Sequence, residues 1–328
     1  MLSKFTKKNL KKFKKYKYDL SKNSYFMRYV YSEYDNIIYF MNNNSINANI
    51  DVKVESNLNN LNNKFNLFSR DSHYVINDII QFNNNHPETI IVSYNDNHIY
   101  IKYNQFENIK NKLFLLIQII EYLKYKVNSN KKFEIYLSLS DLIKYFPRND
   151  NKTIDVENVN SGYTDHKKSI IYIWRYEEFE KVLIHEAIHY IKFFYHDYDN
   201  ININHNIIGN DLHFEAITDF WAIIYHSIYV SLYLNKSIRK ILEYELGFIR
   251  NQAMVMNEHF SKNNKQNTNA YSYYILKYRL FDYIIKNNLI ISIDNINNHL
   301  LQNIVYNNFD KVKYENINSS RMTLFQLG

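Results

Sequence analysis

The 328-residue sequence has no cysteine, four glycines and two prolines. Without cysteine there is neither a disulfide framework nor a cysteine-ligated zinc finger, which fits a reducing, intracellular and cytoplasmic setting. So little glycine and proline predicts a chain rich in regular elements, with turns made by Asn and Asp. Long apolar runs are also missing. The longest, residues 220–234, is broken by His226 and Ser227 and falls short of the ~20 residues that span a bilayer. The basic first residues are followed by no apolar run, so no secretory signal is expected.

Asn, Lys, Ile and Tyr are abundant in their place, which is the signature of AT-rich coding rather than of an adaptation. Polar runs such as residues 57–64 therefore read as loops and exposed faces. The general appearance, with an Arg-Tyr-Glu-Glu lead-in at residues 175–178, resembles proteins of large AT-rich DNA viruses, which would place the chain in host cytoplasm or virion. Eight lysines (Lys4, Lys7, Lys8, Lys11, Lys12, Lys14, Lys15 and Lys17) surround Leu2, Phe5, Leu10 and Phe13, and hold most of the net charge of +7. Residues 1–18 read first as a solvated or frayed basic arm. The functional readings are contact with nucleic acid or with an anionic membrane. Deleting the arm would separate these from the rest of the chain.

Four segments follow from the patterns: the basic arm, a mixed region over 19–86, a sheet subdomain over 87–199, and a helical subdomain over 200–328. In the mixed region, helices are expected over 24–41 and 72–82 and a strand near 46–54. Residues 89–94 and 98–103 alternate around Asn95-Asp96-Asn97 and predict a hairpin. Ile109, Leu113, Phe114, Ile117, Ile120 and Leu123 recur at helical spacing over 106–127, predicting a helix that covers the sheet. Residues 133–139, 156–164 and 169–174 read as further strands, with a loop over 148–152. Helices are expected over 211–234, 237–260 and 268–286, with Ser237 and Thr268 as caps.

The chemistry concentrates in residues 181–191, KVLIHEAIHYI. His185, Glu186 and His189 stand in the spacing H-E-x-x-H, and on a helix residues four apart share a face. Both imidazoles can then reach one metal ion, with Glu186 beside an open coordination position. Apolar neighbours on all sides bury these side chains, and burial without partners is costly. A second stretch, DLHFEAITDFWAIIYHSIYVSLYL at residues 211–234, carries Glu215 and, one turn later, Asp219. Glu215 can complete a His, His, Glu donor set. Asp219 can accept the distal N–H of a ligand histidine, fixing its tautomer and raising its basicity.

H-E-x-x-H followed by E-A-I-T-D resembles the gluzincin group of zinc metallopeptidases. The resemblance implies His185, His189 and Glu215 as ligands of one zinc ion, Glu186 as general base and Asp219 as partner of a ligand histidine. It implies an α+β, zincin-like fold: a mixed β-sheet with covering helices leads into the H-E-x-x-H helix, a mainly helical C-terminal subdomain follows, and the metal lies in the cleft between them. The related metzincin pattern fails, because Lys192 and Tyr195 stand where it needs Gly and His. The absence of cysteine also excludes a thiolate prodomain switch.

The expected activity is hydrolysis of a peptide or protein substrate without a covalent intermediate. Zinc lowers the pKa of its bound water to about 7, Glu186 takes the proton, and the proton passes to the leaving amine. Asn160, Ser161 and Gly162, within a polar stretch before the strand that feeds the metal helix, are candidates for binding a peptide by strand addition. An ordinary hairpin strand with a glycine bulge is the alternative. Tyr271, Tyr273, Tyr274 and His259 are candidates for stabilising the oxyanion. His196, His205 and His213 read as exposed loop histidines, and His226 as a core histidine bonded to backbone. The rival functions are a zincin-fold binding protein without turnover and a nucleic-acid-associated protein led by the lysine arm.

Overall fold

A computed structural model gives the architecture of residues 2–22, 24–44, 46–56, 65, 73–103, 105–147, 153–193, 210–262, 266–296, 300, 304, 314 and 319–328. The polar run 57–64 and the loop 148–152 lie outside these described residues. The fold is α+β. In chain order, helices α1 (Lys4–Phe13) and α2 (Tyr25–Asn43) precede strand β1 (Asp51–Ser56). Helix α3 (His73–Asn85) leads into strands β2 (Glu88–Tyr94) and β3 (Asn97–Lys102), then helix α4 (Phe106–Lys126) and strand β4 (Glu134–Ser140). A helical turn at Val156–Val159 precedes strands β5 (Gly162–Asp165) and β6 (Ile170–Arg175) and helix α5 (Phe179–Ile191). Helices α6 (Asn210–Leu234) and α7 (Ile238–Lys262) follow, and a π-helical turn at Ser272–Leu276 runs into α8 (Lys277–Lys286).

Two compact units share these elements, and each is interrupted in sequence. One comprises Ile37–Lys144 and Asn160–Phe193; the other comprises Met1–Asn36, Tyr145–Val159 and Phe194–Gly328. The first contains a six-stranded mixed sheet in the order β1-β2-β3-β4-β6-β5. Strands β2 and β3 form the expected hairpin. Asn95 and Asp96 both take positive φ, 45° and 61°, the conformation a two-residue primed turn requires. Strand β4 runs parallel to β3, so the chain must cross over, and α4 makes that crossing with Ile109, Leu113, Leu116, Ile117, Ile120 and Leu123 buried. Strand β6 lies parallel to β4, and β5 pairs antiparallel with β6 at the end of the sheet.

The strand expected over 156–164 forms only in its last part. The Asp155 carboxylate accepts the Val156 N–H at 2.8 Å and the Asn158 side-chain oxygen accepts the Asp155 N–H at 2.9 Å. These local bonds offer the backbone an alternative to a ladder, and the chain takes a helical turn there. Extended pairing begins at Gly162.

In the second unit the basic N-terminus is a packed helix, which corrects the expectation of a frayed arm. Ser3 caps α1 by accepting the Thr6 N–H. Phe5 and Phe13 pack edge-on against Phe248 of α7 at centroid distances of 6.3 and 5.3 Å. Gly247 is required there, because a Cβ would lie 2.6 Å from the Tyr16 carbonyl oxygen. The C-terminal segment closes the same core. Thr6 Oγ1 donates to the Leu324 carbonyl at 2.9 Å, Leu2 bridges to Leu327, and the Leu324 N–H reaches the Glu245 carboxylate at 3.1–3.2 Å. Among the described residues, no helix is long and apolar enough to cross a membrane.

Candidate metal centre

Helix α5 grows out of β6 through a three-residue connection, 176–178, in which Glu178 takes the left-handed conformation, φ 63°. A fully buried ion pair holds that connection: Lys144 Nζ lies 3.0 Å from Glu178 Oε2 with both side chains at 0% exposure. Burial pushes the Lys144 amine down to about 8 in spite of the carboxylate beside it. Every residue of α5 is buried, as expected for a helix that is apolar nearly all round. At its far end Lys192 adopts φ 53°, and its N–H and that of Phe193 bond back to the His189 and Ile188 carbonyls, ending the helix at Ile191, two residues past the second histidine.

The two histidines converge. His185 Nε2 and His189 Nε2 are 3.0 Å apart, on side chains 5% and 7% exposed. His185, His189 and Glu215 each present one ligand atom, and the three atoms lie within 4.8 Å of one another. Tetrahedral zinc with bonds of about 2.0–2.1 Å holds adjacent nitrogens ~3.3 Å apart, so this imidazole pair fits such an ion with a small adjustment. Two neutral donors and a carboxylate also match the chemistry of a zinc site with an open position.

Glu186 points from the same helix toward β5. Thr164 Oγ1 donates to Glu186 Oε2 at 2.6 Å and lies 3.2 Å from the Glu186 carbonyl oxygen. Gly162 makes room for the same side chain, since a Cβ there would sit 3.0 Å from Glu186 Cγ, 3.1 Å from Glu186 Oε1 and 2.7 Å from Val182 Cγ1. The sheet edge thus grips one carboxylate oxygen and leaves space at the other. Sequence reasoning missed Thr164, and a lone hydroxyl on a short strand gives no periodic signal.

Asp219 is completely buried on α6, and Lys277 Nζ of α8 donates to its Oδ2 at 2.6 Å. Lys277 also donates to the Met322 carbonyl at 3.3 Å, which ties the C-terminal segment to this pair. This cation was not foreseen. Of the peptide-binding candidates, Gly162 lies on the edge strand, whereas Asn160 and Ser161 precede it. The Ser161 carbonyl accepts the Trp174 N–H at 3.0 Å, and its buried hydroxyl has no hydrogen-bond partner among the described residues.

Among the oxyanion candidates, Tyr274 is buried and its hydroxyl donates to the Ser320 carbonyl. Tyr273 is buried in the same cluster, while Tyr271 is half-buried against the Phe260 ring at 5.5 Å. His259 is half-buried and edge-on to Phe260. His213 is not an exposed loop residue: it is 1% exposed near the start of α6, and desolvation pushes its imidazole below the ordinary range. His226 is a core histidine, but it faces the Thr323 hydroxyl at 3.4 Å. His196 and His205 lie outside the described residues.

Comparison of the chain with protein-family models, with curated proteins and with solved structures gives no match.

Proposed function

We propose that the chain is a zinc-dependent metallopeptidase of the gluzincin type, with a zincin-like arrangement of sheet and active-site helix. The observation that carries this reading is the grouping of His185, His189 and Glu215 with Glu186 adjacent on α5. His185 Nε2, His189 Nε2 and a Glu215 oxygen would hold the ion. When bound, zinc supplies a Lewis acid that polarises a carbonyl and lowers the pKa of water. Glu186 is the general base: it accepts the proton of the attacking water and returns it to the leaving amine. Thr164 holds the Glu186 carboxylate in one orientation during both transfers. Burial around the histidines excludes bulk water and strengthens every charge interaction at the site. The outer edge of β5 can receive an extended peptide by main-chain hydrogen bonds, which suits a substrate recognised by its backbone.

The test is metal analysis beside hydrolysis. Purified protein should hold about one zinc per chain and His185→Ala little. Glu186→Gln should keep the metal and lose cleavage of a quenched-fluorescent peptide library by about 10²–10⁴-fold, whereas Glu215→Gln should lose metal and activity together. A metal-free Glu186→Gln protein would place Glu186 among the ligands and overturn the mechanism.

A further inference from the structure

The net positive charge of this protein comes from its first eighteen residues. Of 40 basic and 33 acidic residues, the first eighteen contribute eight lysines and no acid, which leaves 32 basic against 33 acidic residues elsewhere. Helix α1 sorts its residues sharply. Thr6, Asn9 and Phe13 are buried, Phe5 and Leu10 are half-buried, and Lys4, Lys7, Lys8, Lys11 and Lys12 are all exposed. The docked side is fixed by the Phe248 ring contacts, by the Arg321 guanidinium 4.2 Å over Phe5, and by Thr6 bonds to the C-terminal segment. The five lysines are therefore held on a rigid element at helical spacing and face outward together. Lys17, beyond the helix, is engaged with Glu243 at 3.2 Å.

We infer that the outer face of α1 is a binding surface for the phosphate backbone of nucleic acid, recognised without regard to sequence. A fixed row of lysines beside an otherwise near-neutral chain meets a polymer that carries one charge per ~1.7 Å of duplex axis, and released counterions supply the free energy. A membrane is the poorer fit. An interfacial helix inserts an apolar face into the acyl boundary, and here Phe13 is buried, Phe5 packs on Phe248 and Leu10 is half-buried. The inference does not depend on the proposed catalysis.

Removing residues 1–18 would strip a packed helix from its core, so the test uses substitutions at exposed positions in the full chain. Lys7→Gln, Lys8→Gln, Lys11→Gln and Lys12→Gln are combined in one variant, with the four Lys→Arg changes as a charge-preserving control. Binding to a fluorescein-labelled DNA duplex and to a single-stranded RNA is followed by anisotropy between about 50 and 200 mM salt. The wild type and the Arg variant should bind both polymers with a steep salt dependence. The Gln variant should lose about 100-fold in affinity at the low-salt end and about 3 to 4 from the slope of log K against log salt, with zinc content and melting temperature unchanged. Equal affinity and slope in the Gln variant would overturn the inference. So would wild-type binding to phosphatidylserine vesicles without binding to either nucleic acid.

Discussion

Thr164 and Glu186 are joined by a 2.6 Å hydrogen bond between the edge strand β5 and the middle of the histidine-bearing helix. Thr164 is 9% exposed and Glu186 8%, so water competes little for the contact. A carboxylate in the proposed role of general base profits from a fixed orientation, and misplacement of a reacting group by about 1 Å can cost ~100-fold. Thr164→Val keeps the shape and removes the hydroxyl. It should lower kcat by about 10- to 100-fold with KM and zinc content little changed, and Thr164→Ser should restore most of the loss. Steady-state kinetics on one peptide substrate decide it; a valine variant with wild-type kcat would leave Thr164 a purely structural role.

The Asp219–Lys277 pair is buried on both sides, at 0% and 1% exposure. Breaking such a pair from one side leaves a charge in low dielectric, which costs about 3–5 kcal/mol, whereas removing both charges is far less harmful. Lys277→Met and Asp219→Asn should each destabilise strongly, and the double variant should recover a large part of the sum. Urea unfolding of the four proteins gives the coupling energy. Single losses below about 1 kcal/mol would show that the pair carries no such weight. Asp219→Asn should also weaken metal affinity or activity by about 10- to 100-fold.

Glu245 ties the C-terminal segment to α7, and its burial pushes the carboxyl up to about 7 against the hydrogen bonds from Thr323 and Leu324. The unfolded chain ionises this group near 4.5, so between about 4.5 and 7 the native state binds more protons than the unfolded state. This contribution to stability is full below about 4.5 and falls as pH rises through 7. Glu245→Gln keeps an acceptor for Leu324 and abolishes the titration. The melting temperature of the glutamine variant relative to wild type should therefore climb across that window. A difference independent of pH would mean that Glu245 ionises normally.

The hairpin, the covering helix and the histidine pair were legible because each rests on short-range periodicity. His185 and His189 need only the helix that Val182, Leu183, Ile184 and Ile188 dictate, and Asn95 and Asp96 suit a turn with positive φ. The illegible parts depend on partners remote in sequence. Lys277 meets Asp219 across 58 residues, and Thr6 meets Leu324 across 318. A lysine-rich terminus reads as solvated because composition says nothing of the α7 surface and the C-terminal segment that receive Phe5 and Phe13. Asp155 and Asn158 defeated the strand assignment because their side chains compete locally for the backbone, an effect that alternation of polarity does not record.

The last prediction turns on Gly162, where two explanations of one glycine part company. If it exists to let a peptide approach β5, a methyl group should weaken substrate binding and leave the protein's interior alone. The structure gives it a different duty, since the added Cβ would meet Val182 Cγ1 at 2.7 Å and the Glu186 side chain at 3.0–3.1 Å, on the helix rather than at the open edge. Gly162→Ala should therefore displace α5 or Glu186, lower the melting temperature and reduce kcat, with KM the lesser effect. Val182→Ala, added to it, removes the closest contact and should return part of the stability while kcat stays low, because the Glu186 contact remains. Measured melting curves and kinetics for the two variants separate the explanations. A Gly162→Ala protein with wild-type stability and kcat but raised KM would return the glycine to the substrate.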